Sequence, residues 1–193
     1  MPNETVIPEP HPPWPECPEP GRWWTWDAMS VELEVARFLT AFVVALKPDV
    51  VIETGTGEGY SARALATGLR ANNGGHLWTV EIEPDKCTAA RRLLARHGLT
   101  SWATVVCADT PTTLDIPPVD LLFVDSNQSQ RVSEVEAMLP RMSERGVILA
   151  HDSSTVHQRV RAGLDELARK GAISVVHLPT PRGLSVARRW RWE

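Results

Sequence analysis

Two aspartates, Asp125 and Asp152, each follow a short apolar run, Leu121-Leu122-Phe123-Val124 and Gly146-Val147-Ile148-Leu149-Ala150, and His151 stands between the second run and its acid. If the runs are adjacent strands, the two carboxylates repel unless a metal ion, a shared proton or a substrate hydroxyl offsets them. Asp152 could equally cap a following helix. His151 titrates near neutrality, which suits a general base or a satisfied structural residue. A strand continuing through it would turn its side chain to the face opposite that of Asp152. The second chemical stretch is Glu53-Thr54-Gly55-Thr56-Gly57-Glu58-Gly59-Tyr60-Ser61, directly after Val50-Val51-Ile52. Glycines allow backbone angles that a Cβ forbids and let main chain approach a ligand closely. A helix starting there points free N–H groups at the same place, so the stretch reads as a nucleotide-binding turn.

Positioning these groups requires a parallel sheet. Val50 to Ile52 is a short strand buried on both faces, and Ala62 to Leu69 is helical. His76 to Val80 is a second strand leading into Glu81, and Pro84 opens a helix that runs to His97. Trp102 to Cys107 is a third strand, followed by Asp109, which can form a turn or cap a helix. A helix from about Ser129 to Ser143 separates the Asp125 strand from the fifth, and another spans Thr155 to Arg169. Upstream, Val31, Val35, Phe38, Leu39, Phe42 and Leu46 fall at helical spacing, with Glu32 and Glu34 at the helix start where acids are favoured. Ile173 to His177 and Leu184 to Ala187 are joined too closely for a parallel crossover, so one of them runs antiparallel. The expected fold is a doubly wound, Rossmann-like α/β sheet, mostly parallel, with an antiparallel C-terminal hairpin strand. In such a sheet the Asp125 strand adjoins the first at the switch point where ligands lie.

An acid at a strand end followed by Gly-x-Gly-x-Gly resembles motif I of the class I S-adenosylmethionine-dependent methyltransferases. From about residue 30 to 189, Glu81, Asp125, His151-Asp152 and the final hairpin follow in that family's order. The resemblance implies an S-adenosylmethionine site built from Glu53, Gly55, Thr56, Gly57, Gly59, Tyr60, Ser61, Glu81, Asp109 and Asp125, with Glu81 on the ribose hydroxyls. Within the class, the chain looks like the small catechol and caffeoyl-coenzyme A O-methyltransferases and the related bacterial sugar and natural-product enzymes. That likeness implies O-methylation of a small-molecule hydroxyl, with Asp125, His151 and Asp152 catalytic. It also implies Mg2+ or another divalent cation on Asp125, Asp152 and Ser153. Two departures stand out: Ser153 replaces the family's asparagine, and Gln128 stands where the catechol enzymes carry a general-base lysine. Glutamine takes no proton near neutral pH, and His151 could replace the lysine as base or be a satisfied structural residue. Two other readings are a noncatalytic adenosine-ligand binding module or partner subunit, and an NAD-dependent oxidoreductase. The latter suffers because the sixth position of a dinucleotide fingerprint counted from Gly55 is Tyr60 instead of glycine.

Composition bounds the rest. With 193 residues and 42% hydrophobic content, the chain has room for one domain with a sizeable core. A net charge of −4 argues against a phosphate-covering surface, Arg188-Arg189-Trp190-Arg191 being the one basic cluster, so no nucleic-acid partner is expected. Cys17, Cys87 and Cys107 lack metal-site spacing and fit a reduced, cytoplasmic setting without disulfides. No apolar run reaches membrane-spanning length. Residues 1-22 hold eight of the sixteen prolines, and Trp14, Trp23, Trp24 and Trp26 accompany them. Residues 1-26 therefore read as a proline- and tryptophan-rich arm on a 27-193 domain. Its aromatic surface could cover a substrate pocket, pack on the first helix or join a homodimer.

Overall fold

The computed structural model describes residues 9–12, 17, 19, 21–27, 29–156 and 158–189. Trp14, Trp190 and Arg191 lie outside the described residues. In chain order the elements are α1 (Leu33–Leu46), β1 (Val50–Thr54), α2 (Tyr60–Asn72), β2 (His76–Glu81), α3 (Pro84–Arg96), β3 (Ala103–Cys107), β4 (Val119–Val124), α4 (Arg131–Met138), β5 (Met142–His151), α5 (Gln158–Arg169), β6 (Ile173–Leu178) and β7 (Leu184–Arg189). They form one seven-stranded sheet in the order β3-β2-β1-β4-β5-β7-β6. The first five strands pair in parallel, and β7 pairs antiparallel with both β5 and β6. β7 is thus the strand that the short final connection reverses.

The strands at the centre are apolar at nearly every position because both faces are covered. Val51, Leu121 and Phe123 face a core shared with α1, α2 and α3, whereas Val50, Ile52, Leu122 and Val124 face α4 and α5. Burying one such side chain is worth about 1.5 to 3 kcal/mol, so the layers fix the register of β1 against β4. That register places Thr54 opposite Val124, which brings the glycine turn and Asp125 to the same edge. A Cβ on Gly55, whose φ is +80°, would lie 2.4 Å from the Asp125 carbonyl oxygen. The turn packs against the end of β4 so closely that only glycine fits.

The expected boundaries move most around Pro140. The helix expected to reach Ser143 ends at Met138, and Leu139–Arg141 forms a 3-10 turn containing Pro140. Proline has no N–H to continue the helical ladder. Met142 consequently belongs to β5, which is ten residues long. Ahead of α1, the arm touches the domain through Trp24 and Trp26. The Leu33 N–H donates to the Trp24 carbonyl, and Trp26 stacks on Tyr60 with centroids 5.7 Å apart.

Candidate active site

The glycine turn closes on β2. The N–H groups of Gly55 and Thr56 donate to the Val80 carbonyl, and that of Gly57 donates to Glu81 Oε2 at 2.8 Å. Glu81 Oε1 accepts from the N–H groups of Ile82 and Glu83. Backbone donors therefore fix the Glu81 carboxylate beside the turn. Gly57, with φ +54°, has no atom within 4 Å of the position its Cβ would take, so this part of the loop borders open space. Ile82, next to Glu81, leaves 66% of its surface exposed, an apolar platform beside the acid.

Glu53 is buried beneath the turn and accepts from Thr79, whose hydroxyl also meets that of Thr56. Burial pushes its carboxyl up to about 8, so it is protonated at neutral pH. Its Oε1 has no partner among the described residues. Ser61 is buried in the first turn of α2. The Tyr60 ring is taken up by Trp26, and the Arg63 guanidinium lies over both rings. Asp109 lines a cleft of about 280 Å³ with Thr110, Gln130, Ser133 and Glu134. Glu134 also accepts from the hydroxyls of Thr54 and Ser126, tying the ends of β1 and β4 to α4.

Asp125, His151 and Asp152 converge, with one potential ligand atom from each lying within 4.8 Å of the others. The strand ends at His151, so the alternation that would turn His151 and Asp152 to opposite faces does not extend to Asp152. Asp152 adopts φ +53°, a left-handed conformation that Asp tolerates better than most residues. His151 is fully buried, with Nδ1 3.1 Å from Asp125 Oδ1 and Nε2 2.9 Å from Glu32 Oε2. Burial alone would lower its pKa, but Asp125, Glu32 and Asp152 together raise it to about 9. The carboxylates around His151 favour its charged form, and both ring nitrogens are already engaged, which does not favour the general-base role expected of it.

Two arginines that the sequence pattern did not single out complete the cluster. Arg131, the first residue of α4, donates from Nε to the Ser126 carbonyl and from Nη1 to the His151 carbonyl. The same guanidinium reaches Asp152 Oδ2 at 2.8 Å and Asp125 Oδ1 at 2.9 Å. Arg182, between β6 and β7, grips both oxygens of Asp152 and donates to the Ser30 carbonyl. Gln128 donates to Asp152 Oδ2. Burial would raise the Asp152 pKa, but His151, Arg131 and Arg182 hold it well below the usual carboxylate range. Three carboxylates, Glu32, Asp125 and Asp152, thus face three cations, Arg131, Arg182 and His151.

This arrangement does not fit a divalent cation. Such an ion needs free oxygen ligands, and those of Asp152 are already given to Arg131, Arg182 and Gln128. Ser153 is turned elsewhere, its hydroxyl donating to the Ala150 carbonyl and accepting from Ser185. The repulsion that suggested a metal is met by guanidinium groups. Asp125 Oδ2 is the one carboxylate oxygen of the aspartate pair that no donor among the described residues reaches. Arg131 and Glu32 were hidden in the sequence because their helical context offers an ordinary surface or helix-start explanation, and Arg182 sits in a loop without periodic signal.

A family model described as "Methyltransferase domain" matches residues 52–153. The chain is 33% identical over 112 residues to O-methyltransferase ankF of Aspergillus thermomutatus, covering 55% of this chain and 46% of that protein. It is 30% identical over 128 residues to a catechol O-methyltransferase of Mycobacterium tuberculosis, covering 65% and 57%. The chain spans about half the length of these curated relatives. Among solved structures, an O-methyltransferase from Bacillus cereus in complex with SAH superposes with TM-score 0.75 at 22% identity, covering 84% of this chain and 83% of that one. The SAH-bound methyltransferase PaMTH1 of Podospora anserina gives 0.73 at 23% identity, covering 84% and 80%.

Proposed function

The chain belongs to the methyltransferase-domain family, and on that premise we propose that it transfers a methyl group from S-adenosylmethionine to a hydroxyl of a small molecule. The observation that carries this reading is the glycine turn clasping the Glu81 carboxylate beside open space at Gly57. Gly55, Thr56, Gly57 and Gly59 would surround the methionine and ribose portion, Glu81 would accept from the ribose hydroxyls, and Ile82 would lie against the base. Asp109 belongs to the adenine end of the same reading. When bound, the cofactor supplies a methyl group on a positively charged sulfur.

The chain's own residues then have a limited task. Methyl transfer is an in-line displacement, and holding the acceptor oxygen at contact distance supplies most of the advantage. Asp125 Oδ1 is held by Arg131 and His151, which leaves Oδ2 to accept a hydrogen bond from the acceptor hydroxyl, orient its oxygen and take its proton as the methyl passes to oxygen and S-adenosylhomocysteine leaves. Burial of His151 and Glu32 beneath the cluster keeps water away from its lower side. The divalent cation implied by the catechol-type resemblance has no part in this reading. Family membership does not favour a noncatalytic binding module or an NAD-dependent enzyme. The three cysteines are free thiols and no helix among the described residues is long and apolar enough to cross a membrane, which supports a cytoplasmic setting as part of the proposal.

Calorimetric titration with S-adenosylhomocysteine tests the cofactor assignment. Saturable one-to-one binding in the wild type and its loss in Glu81→Ala are expected, whereas wild-type protein that binds no S-adenosylhomocysteine removes the reading. Incubation with isotopically methyl-labelled cofactor and a panel of phenols and alcohols should then give a labelled ether detectable by mass spectrometry.

A further inference from the structure

We propose that Arg131 takes the place of a divalent cation in this chain, so that the aspartate pair is assembled without metal and Arg131 is the residue that positions Asp125. The geometry is that of a bridge. One guanidinium contacts Asp125 Oδ1 at 2.9 Å and Asp152 Oδ2 at 2.8 Å, at the carboxyl ends of the adjacent strands β4 and β5. Two further donors go to the Ser126 and His151 carbonyls, which lie just beyond or at those same strand ends. A planar fork with fixed donor directions is suited to holding two carboxylates at a set separation, a task that a lysine ammonium performs less well.

Charge balance argues the same way. Arg131 and Arg182 are largely buried with Asp125 and Asp152, and a cation of charge +2 entering between the acids would strip both arginines of their carboxylate partners. Leaving a guanidinium buried and unpaired is costly. The ion would also have to displace Gln128 from Asp152 Oδ2 and would find Ser153 engaged with Ala150 and Ser185. The inference that Asp125 is thereby presented to the methyl acceptor rests on the function proposed above, whereas exclusion of metal does not.

The test uses Mn2+ as the probe. Wild-type protein should give no bound-Mn2+ signal by electron paramagnetic resonance, and its thermal midpoint should be the same with EDTA and with millimolar Mn2+. In the double variant Arg131→Ala with Arg182→Ala, which frees oxygens of both aspartates, a Mn2+ site should appear, and the lowered midpoint should climb as Mn2+ is added. Loss of purely structural arginines would lower the midpoint without creating that site, and this outcome would overturn the positioning role. A stoichiometric Mn2+ signal in the wild type that disappears in Asp152→Asn would overturn the proposal without recourse to the double variant. S-adenosylhomocysteine titration of the same wild-type sample separates the two ideas. Failure to bind it sinks the methyl-transfer reading, while the Mn2+ result stands or falls independently.

Discussion

At the scale of single residues, the buried acid under the glycine turn and the buried histidine at the end of β5 both bind a proton more tightly in the folded protein than in the unfolded chain. Stability declines with rising pH wherever the folded state holds more protons. For Glu53 that window runs from its ordinary 4.5 to about 8, and for His151 from 6.5 to about 9. The stabilising contribution of protonated His151 is fully present below 6.5 and is lost as pH rises through about 9. Asp152 and Glu32, held below their usual range, act in the opposite sense, and their contribution is lost on acidification. The thermal midpoint should therefore peak in mildly acidic buffer and fall toward pH 9. Glu53→Gln should flatten the decline across its own window, and His151→Gln should flatten the more alkaline part. Melting curves for both variants over pH 5 to 9 check this, and parallel slopes in all three proteins would contradict it. Of these groups, the sequence marked Glu53, Asp125 and Asp152 through their places at strand ends. It did not reveal the ionic role of Glu32, because an acid at a helix start has a sufficient local explanation.

Elements were legible where periodicity is strong. The five parallel strands and one reversed strand in the final pair follow from apolar runs and connection lengths, because two-sided burial leaves a continuous apolar signature. The end of α4 was not, since Val132, Val135, Met138, Leu139 and Met142 keep helical spacing across a point where Pro140 breaks the backbone. The site depends on how closely elements meet, and this gives a sharp prediction for the turn between β1 and α2. In Gly55→Ala the new methyl would collide with backbone at Asp125 and Ser126 and must adopt a positive φ. A loss of about 1 to 3 kcal/mol is expected from urea unfolding, with S-adenosylhomocysteine affinity reduced by about tenfold or more. Gly57→Ala, with the same kind of φ but open space around its Cβ, should be milder in stability and still impair binding. Equal stability losses in the two variants would show that the contact with the end of β4 is unimportant.

For the whole molecule, the cluster draws its charges from distant parts of the chain: Glu32 ahead of α1, Asp125 and Arg131 near the middle, Asp152 after β5 and Arg182 ahead of β7. Such a set has no local sequence signature, which is why the site's acids could be read and their counter-charges could not. Removing one partner of a buried pair costs far more than an exposed pair is worth. Arg182→Ala should accordingly lose about 3 kcal/mol by urea unfolding, and a loss below about 1 kcal/mol would show that Asp152 is adequately held by the others. The late position of Arg182 also sets an order of events during synthesis. When Asp152 leaves the ribosome, β5 still lacks β7 along its free edge, and the guanidinium that grips both Asp152 oxygens is 30 residues away. At ordinary elongation rates that interval is about two to six seconds, during which a nascent chain carries an open strand edge beside an incompletely neutralised acid. Translation speed through the β6 segment should therefore govern the yield of native protein, with slowed codons there increasing the fraction captured by chaperones.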